Sequence, residues 1–162
     1  DPFMEVFNVP ASDLSCEARE ASTVTPQVFA MFNSEIGFDR ALALASRISK
    51  ETDSREATIK RLFRLTYGRA AGQAELNTCL EHWSKMTKKH ERFSFEPAEY
   101  RSEVVREAVE ENTGVKFEFV EPLEFYADFV PDMKPADASA ELRGLAEVCL
   151  VILNSNEFVY VY

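Results

Sequence analysis

Between residues 138 and 154 one apolar stripe, Leu142, Leu145, Ala146, Cys149, Ile152 and Leu153, recurs at intervals of three and four residues. That is the period of an α-helix with one buried face. A helix this apolar has to be covered by others, and the sequence supplies them. Thr25-Pro26 reads as an N-cap followed by proline at the first helical position. It opens a helix with Val28, Phe29, Met31 and Phe32 that stops near Asn33-Ser34. A second helix is predicted from about Glu35 to Lys50, with Phe38, Leu42, Ala45 and Ile48 on one stripe. Asp53-x-x-Glu56 has the form of a capping box, ahead of a helix presenting Ile59, Leu62, Phe63 and Thr66, with Gly68 at the left-handed C′ position. A fourth helix, about Gln73 to Lys89, buries Leu76, Cys79, Leu80, Trp83 and Met86. Asp137 is placed to cap the last helix, about 138–154.

Residues 91–136 have a different character. Two stretches, 92–97 and 116–122, alternate aromatic and polar residues with the strand period of two. They flank a predicted helix over about 98–112 that ends at Gly114, so a two-stranded ribbon closed by that helix is expected. The C-terminal segment 158–162 also alternates and is a candidate further strand. The fold expected is mainly α: one compact domain over 1–162, with about five or six helices and a small β ribbon. Residues 1–23 form an irregular arm and 91–136 an acidic, aromatic insertion. The start, Asp1-Pro2-Phe3-Met4, is neither an initiator nor a signal region and reads as the boundary of a piece cut from a longer protein.

Length and charge set the next limits. A chain of 162 residues, 46% hydrophobic, can bury a core without a metal or disulfide staple. No apolar run approaches the ~20 residues of a membrane-spanning helix, so no membrane insertion is expected. Residues 1–90 carry 12 acids and 12 bases, whereas 91–162 carry 16 acids and 6 bases and hold the entire net charge of −10. Such a surface repels phosphate backbones, which excludes nucleic acid as a main partner. It keeps the chain soluble, or it forms a face for cations or a basic partner. The three cysteines, Cys16, Cys79 and Cys149, cannot all pair within one chain.

Three stretches then read together. They are 19–27 (Arg-Glu-Ala-Ser-Thr-Val-Thr-Pro-Gln) with Asn33-Ser34, then 62–69 (Leu-Phe-Arg-Leu-Thr-Tyr-Gly-Arg) with Glu75-Leu76, and 150–158 (Leu-Val-Ile-Leu-Asn-Ser-Asn-Glu-Phe). In this order and spacing they resemble the C-terminal domain of unknown function found in large exported proteins of planctomycetes and verrucomicrobia. The resemblance is weakest over 86–136. It departs from the family where prolines commonly follow the glycine-arginine pair and Ala70 and Ala71 stand here. It implies a periplasmic or cell-envelope setting, often beside a cytochrome c module elsewhere in the parent protein. It carries no catalytic residues over and implies no reaction.

Candidate chemistry is thin. Cys79-x-x-His82 has a spacing that can offer two metal ligands on a helix, but a buried thiol beside a surface histidine accounts for it, with His90, Cys16 and Cys149 the other possible ligands. There is no C-x-x-C-H for haem, no nucleophile elbow, and the two histidines, His82 and His90, lie about two turns apart on one helix. Carboxylate pairs drawn from Glu110, Glu111, Glu118, Glu121, Glu124 and Asp128 are possible glycoside-cleaving pairs, but with so many acids such pairs arise by chance. Asp128, Asp132 and Asp137 offer oxygen ligands for calcium without the twelve-residue loop pattern. No catalytic, cofactor or metal residue is therefore assigned. Phe93, Phe95, Phe117, Phe119, Phe125 and Tyr126 are the candidate interaction surface, the alternative being that they clamp 91–136 onto the helical core. The expected function is a non-catalytic assembly module that binds upstream domains of its own parent protein or another envelope protein, with polysaccharide as a further candidate partner. The competing expectation is a share in a polysaccharide-processing hydrolytic site.

Overall fold

The computed structural model describes residues 25–124 and 130–159. The arm 1–23, Cys16, Phe125, Tyr126 and Asp128 lie outside them. The chain is mainly helical with one small antiparallel sheet, as its periodicities require. It divides into two compact units: residues 1–95 with 133–162, and residues 96–132.

In the first unit, α1 (Thr25–Asn33), α2 (Glu35–Lys50), α3 (Arg55–Thr66) and α4 (Gln73–His90) precede a 3₁₀ turn (Pro135–Asp137), α5 (Ala140–Leu153) and the short α6 (Asn156–Val159). α5 is the central element and packs mainly against α2 and α4. Leu145, Ala146 and Cys149 are fully buried against Leu42, Ala45 and Ile48 of α2 and Ile59 and Leu62 of α3. Trp83 fills the α4 side, and its Nε1–H donates to the Glu141 carbonyl at 2.9 Å.

Several helix ends differ from the expected ones. α3 is capped by Ser54, whose Oγ accepts the Ala57 N–H at 3.2 Å, and not by an Asp53–Glu56 box. Starting there lets the Thr58 hydroxyl, which is buried, donate to the Ser54 carbonyl and meet the Thr52 hydroxyl at 2.7 Å. Glu56 is then one position too early to reach back, and pairs with Lys60 at 3.8 Å instead. α5 is capped by Ser139, which accepts the Leu142 N–H, while Asp137 accepts the Lys134 N–H and closes the 3₁₀ turn before it. α1 begins at Thr25 itself. Gly68, at φ +69°, is the left-handed residue after α3, as expected.

The second and third sequence stretches meet at one arginine. Arg69, just beyond α3, donates to both oxygens of Glu75 (2.9 and 2.7 Å) and of Glu157 (2.5 and 2.7 Å). Its guanidinium lies over Phe63 and Tyr67, the bidentate and stacked contacts that only this side chain can make together. The Tyr67 hydroxyl pairs with Ser155 at 2.7 Å. Ser155 also accepts the Phe158 N–H, which turns Phe158 and Val159 into α6 where a strand was expected. Ser34 caps α2 and, with Leu153, Asn154 and Phe158, lines a recess beside the same helix end.

The second unit corrects two expectations. Residues 103–109 form a strand and not a helix: β1 (Glu103–Val109) pairs antiparallel with β2 (Lys116–Pro122). The run Glu-Val-Val-Arg-Glu-Ala-Val contains good helix formers, but its valines suit a pleated edge. The six-residue connection is a far shorter loop to close than one reaching back to 92–97. Gly114, at φ +70°, serves this hairpin turn and not a helix end. Glu110 staples the turn by accepting the N–H groups of Asn112 and Thr113, the Asn112 amide and the Thr113 hydroxyl, which hold its carboxyl down to about 2. Residues 92–97 are not in the sheet.

Two outcomes test this packing. A methyl group at Gly144 would sit 2.7 Å from the Thr87 amide nitrogen and 3.0 Å from its Cα, so α4 and α5 would have to separate. Gly144→Ala should destabilise by about 1–3 kcal/mol in urea denaturation, despite roughly 1 kcal/mol of gained helix propensity; equal or greater stability would contradict so close an approach. Separately, Arg69 and then the Gly72 N–H hold Glu75 down to about 2, below its ordinary 4.5. A carboxyl lowered on folding stabilises above its unfolded value, and that stabilisation is lost as pH falls towards the folded one. The thermal midpoint should drop between pH 4.5 and about 2. Glu75→Gln should start lower at neutral pH and drop less over that window.

Candidate functional site: an acidic ribbon and a polar cleft

Antiparallel pairing places Val104, Arg106 and Ala108 of β1 on one face with Phe117, Phe119 and Glu121 of β2. The Phe117 and Phe119 rings lie 6.1 Å apart, yet they remain 48% and 42% exposed. Arg106 pairs with Glu121 beside them. The opposite face carries Glu103, Val105, Glu107 and Val109 with Lys116, Glu118 and Val120, all exposed. Glu107 stands directly across from Glu118, a like-charge pair that weakens a ladder. The unit has eleven acids and three bases, so it holds −8 of the chain's −10. Two strands with both faces wet are marginal by themselves, and this ribbon leaves two aromatic rings partly exposed.

The six candidate aromatic residues do not form one patch within a unit. Phe117 and Phe119 are on the ribbon. Phe93 and Phe95 belong to the helical unit, 6.3 Å apart, and pack against His90 with Phe38. Phe125 and Tyr126 lie outside the described residues.

The helical unit carries a polar cleft that no sequence pattern announces. It has a volume of about 490 Å³ and is lined by Phe32, Asn33, Glu35, Phe38, Asp39 and Glu147 among others. Asp39 is buried, and its Oδ2 accepts the Lys134 ammonium at 2.6 Å, while Glu35 holds the same ammonium at 2.7 Å. Asp39 Oδ1 accepts nothing. Behind the lining residue Glu147, His90, also buried, meets it at 3.0 Å through Nε2. Its backbone carbonyl accepts from Arg143, which stacks on Phe95 and donates to the Pro135 and Ala138 carbonyls. The sequence offers His90 only as a neighbour of His82 on one helix and a possible further ligand beside Cys79. The partners of His90 come from 50 to 60 residues away, where no local spacing could show them.

The other candidates are placed as follows. Cys79 is half-buried on α4, and burial raises its thiol and, far more, that of Cys149; both are free. His82 is half-exposed one turn on. Among the described residues no group of three or more His, Cys, Asp or Glu side chains is arranged to hold a metal ion. No helix there is long and apolar enough to cross a membrane. Of the carboxylates offered as pairs, Glu110 is spent on its turn and Glu121 on Arg106.

Neither the curated proteins nor the solved structures contain a match to this chain. A family match runs over residues 1–83, about half of the sequence, and takes in Arg69 and Glu75 but not Glu157. The chain belongs to the PSD1 family, described as protein of unknown function (DUF1553).

Proposed function

We propose that the chain is a non-catalytic interaction module, and that its ribbon docks a basic polypeptide surface elsewhere in its own parent protein, in the cell envelope. One observation carries this reading: Phe117 and Phe119 stay exposed side by side on a unit of net charge −8. Apolar anchors supply affinity when desolvated, and the surrounding acids supply steering and partner choice. A neutral or acidic partner surface would leave the Glu107–Glu118 repulsion in place; a basic one relieves it.

Mixed in trans with the remainder of its parent protein, this chain should associate stoichiometrically, with an affinity that falls as salt rises. Phe117→Ser/Phe119→Ser should weaken that association at least about tenfold, the loss expected of central aromatic anchors. The urea midpoint of the helical unit should not change. Association that is absent, or indifferent to both substitutions, rejects the reading.

A second reading, a share in a polysaccharide-processing hydrolytic site, has the cleft in its favour, since Asp39, Glu35 and Glu147 line it with Phe32 and Phe38. Glycan hydrolysis by the full parent protein, abolished by Glu147→Gln with binding retained, would select it. Hydrolysis that is unchanged by Glu147→Gln would dismiss it.

A further inference from the structure

We infer that the basic partner docks as a third β-strand on the outer edge of β1, with lysine or arginine at every fourth position and an apolar residue between them. The inference rests on the docking reading above and adds to it a backbone contact on β1, the strand beside the one that carries Phe117 and Phe119.

The ladder decides which backbone groups are free. Leu123 N–H donates to the Ser102 carbonyl, and Glu110 N–H to the Val115 carbonyl. With Glu103 opposite Pro122 and Val109 opposite Lys116, the hydrogen-bonded pairs fall at Val104–Glu121, Arg106–Phe119 and Ala108–Phe117. The N–H and C=O groups of Glu103, Val105, Glu107 and Val109 therefore point away from β2. Among the described residues no further strand pairs with them, and all four are exposed. On β2 the outward groups are those of Lys116, Glu118, Val120 and Pro122. That edge lacks the donor at its proline and begins with a cation. The β1 edge is uninterrupted, and strand addition of this kind takes its affinity from backbone hydrogen bonds.

The side chains along the edge name the partner. Glu103, Val105 and Glu107 share one face, so an added strand sets its own residues beside acid, valine and acid in turn. Basic, apolar and basic residues at alternate positions complement that row. A cation next to Glu107 also offsets its repulsion with Glu118. A second copy of this chain is the wrong occupant: each unit carries −8, and β1 against β1 centred on Val105 or Glu107 would align glutamates with glutamates.

The test uses the whole chain and the synthetic peptide Thr-Lys-Thr-Val-Thr-Lys-Thr, with a control of the same composition whose lysines are adjacent. The alternating peptide should bind more tightly and slow amide exchange at Glu103, Val105, Glu107 and Val109. Glu107→Pro removes one outward donor without touching the β1–β2 ladder and should weaken binding at least about tenfold. Glu118→Pro, on the other edge, should leave it unchanged. Should Glu107→Pro undo the hairpin, Glu103→Lys/Glu107→Lys decides instead, by losing the lysine peptide and gaining its glutamate counterpart. If Glu107→Pro binds normally with its hairpin intact while Phe117→Ser/Phe119→Ser does not bind, the edge inference fails and the docking reading stands. If neither peptide nor parent segment binds the unaltered chain, both fail.

Discussion

Burial of α5 on nearly its whole circumference is the constraint from which the helical unit follows. From Arg143 to Ile152 only Glu147 and Val151 escape full burial. A helix in that position has only a narrow wet strip at Glu147 and Val151, so polar groups elsewhere on it need partners brought to them. α2, α3 and α4 supply the apolar cover, and Gly144 admits α4 to backbone contact with Thr87. Removing surface from water over this one helix is what makes the remaining helices mutually dependent.

Arg143 shows how the constraint propagates. A guanidinium in the core is costly unless its donors are met. Here the carbonyls of Pro135, Ala138 and His90 converge on it, and Phe95 covers its face. The terminal nitrogens make these bonds while Nε is left without a partner, and those contacts fix the 3₁₀ turn before α5 and the end of α4. They also fix the path of residues 93–95. Lys134 leaves the same turn and reaches Asp39 of α2, where removing the lysine would strand the buried Asp39 carboxylate. The polar cleft is a by-product of this arrangement, formed where helix ends are tied together by charge and not by apolar contact.

Periodicity made the helices legible because burial on one face is a strong and repeated signal. α2 and the stripe of α5 could be read almost to the residue. The caps were less legible, since Asp53 and Ser54, or Asp137 and Ser139, are equally good acceptors and only the register of the buried side selects one. The strand at 103–109 was misread because Glu, Arg and Ala favour helix, while the partner that overrides them lies across a turn. Arg69 and Glu157 could be picked out as motif residues, but 88 positions separate them and nothing local says that they touch. For the candidate surface, the aromatic alternation of 116–122 was visible. That some of these aromatics clamp onto the helical core was one of two readings, but that Phe93 and Phe95 are the ones depends on Arg143 and His90, which no local pattern ties to them.

The ribbon obeys different physics from the helices. Its short loop makes it cheap to close, and the Glu110 staple fixes its turn. Nothing in its own sequence makes its two faces dry. Evolution toward a free-standing hairpin would be expected to place opposite charges across the ladder and small polar residues at its exposed positions. This hairpin sets Glu107 against Glu118 and leaves valines and phenylalanines in water. Both features cost stability in the isolated chain, and both become favourable against one kind of surface, basic and partly apolar. On the proposed docking a single type of neighbour removes both weaknesses, which the fold of the chain by itself leaves in place.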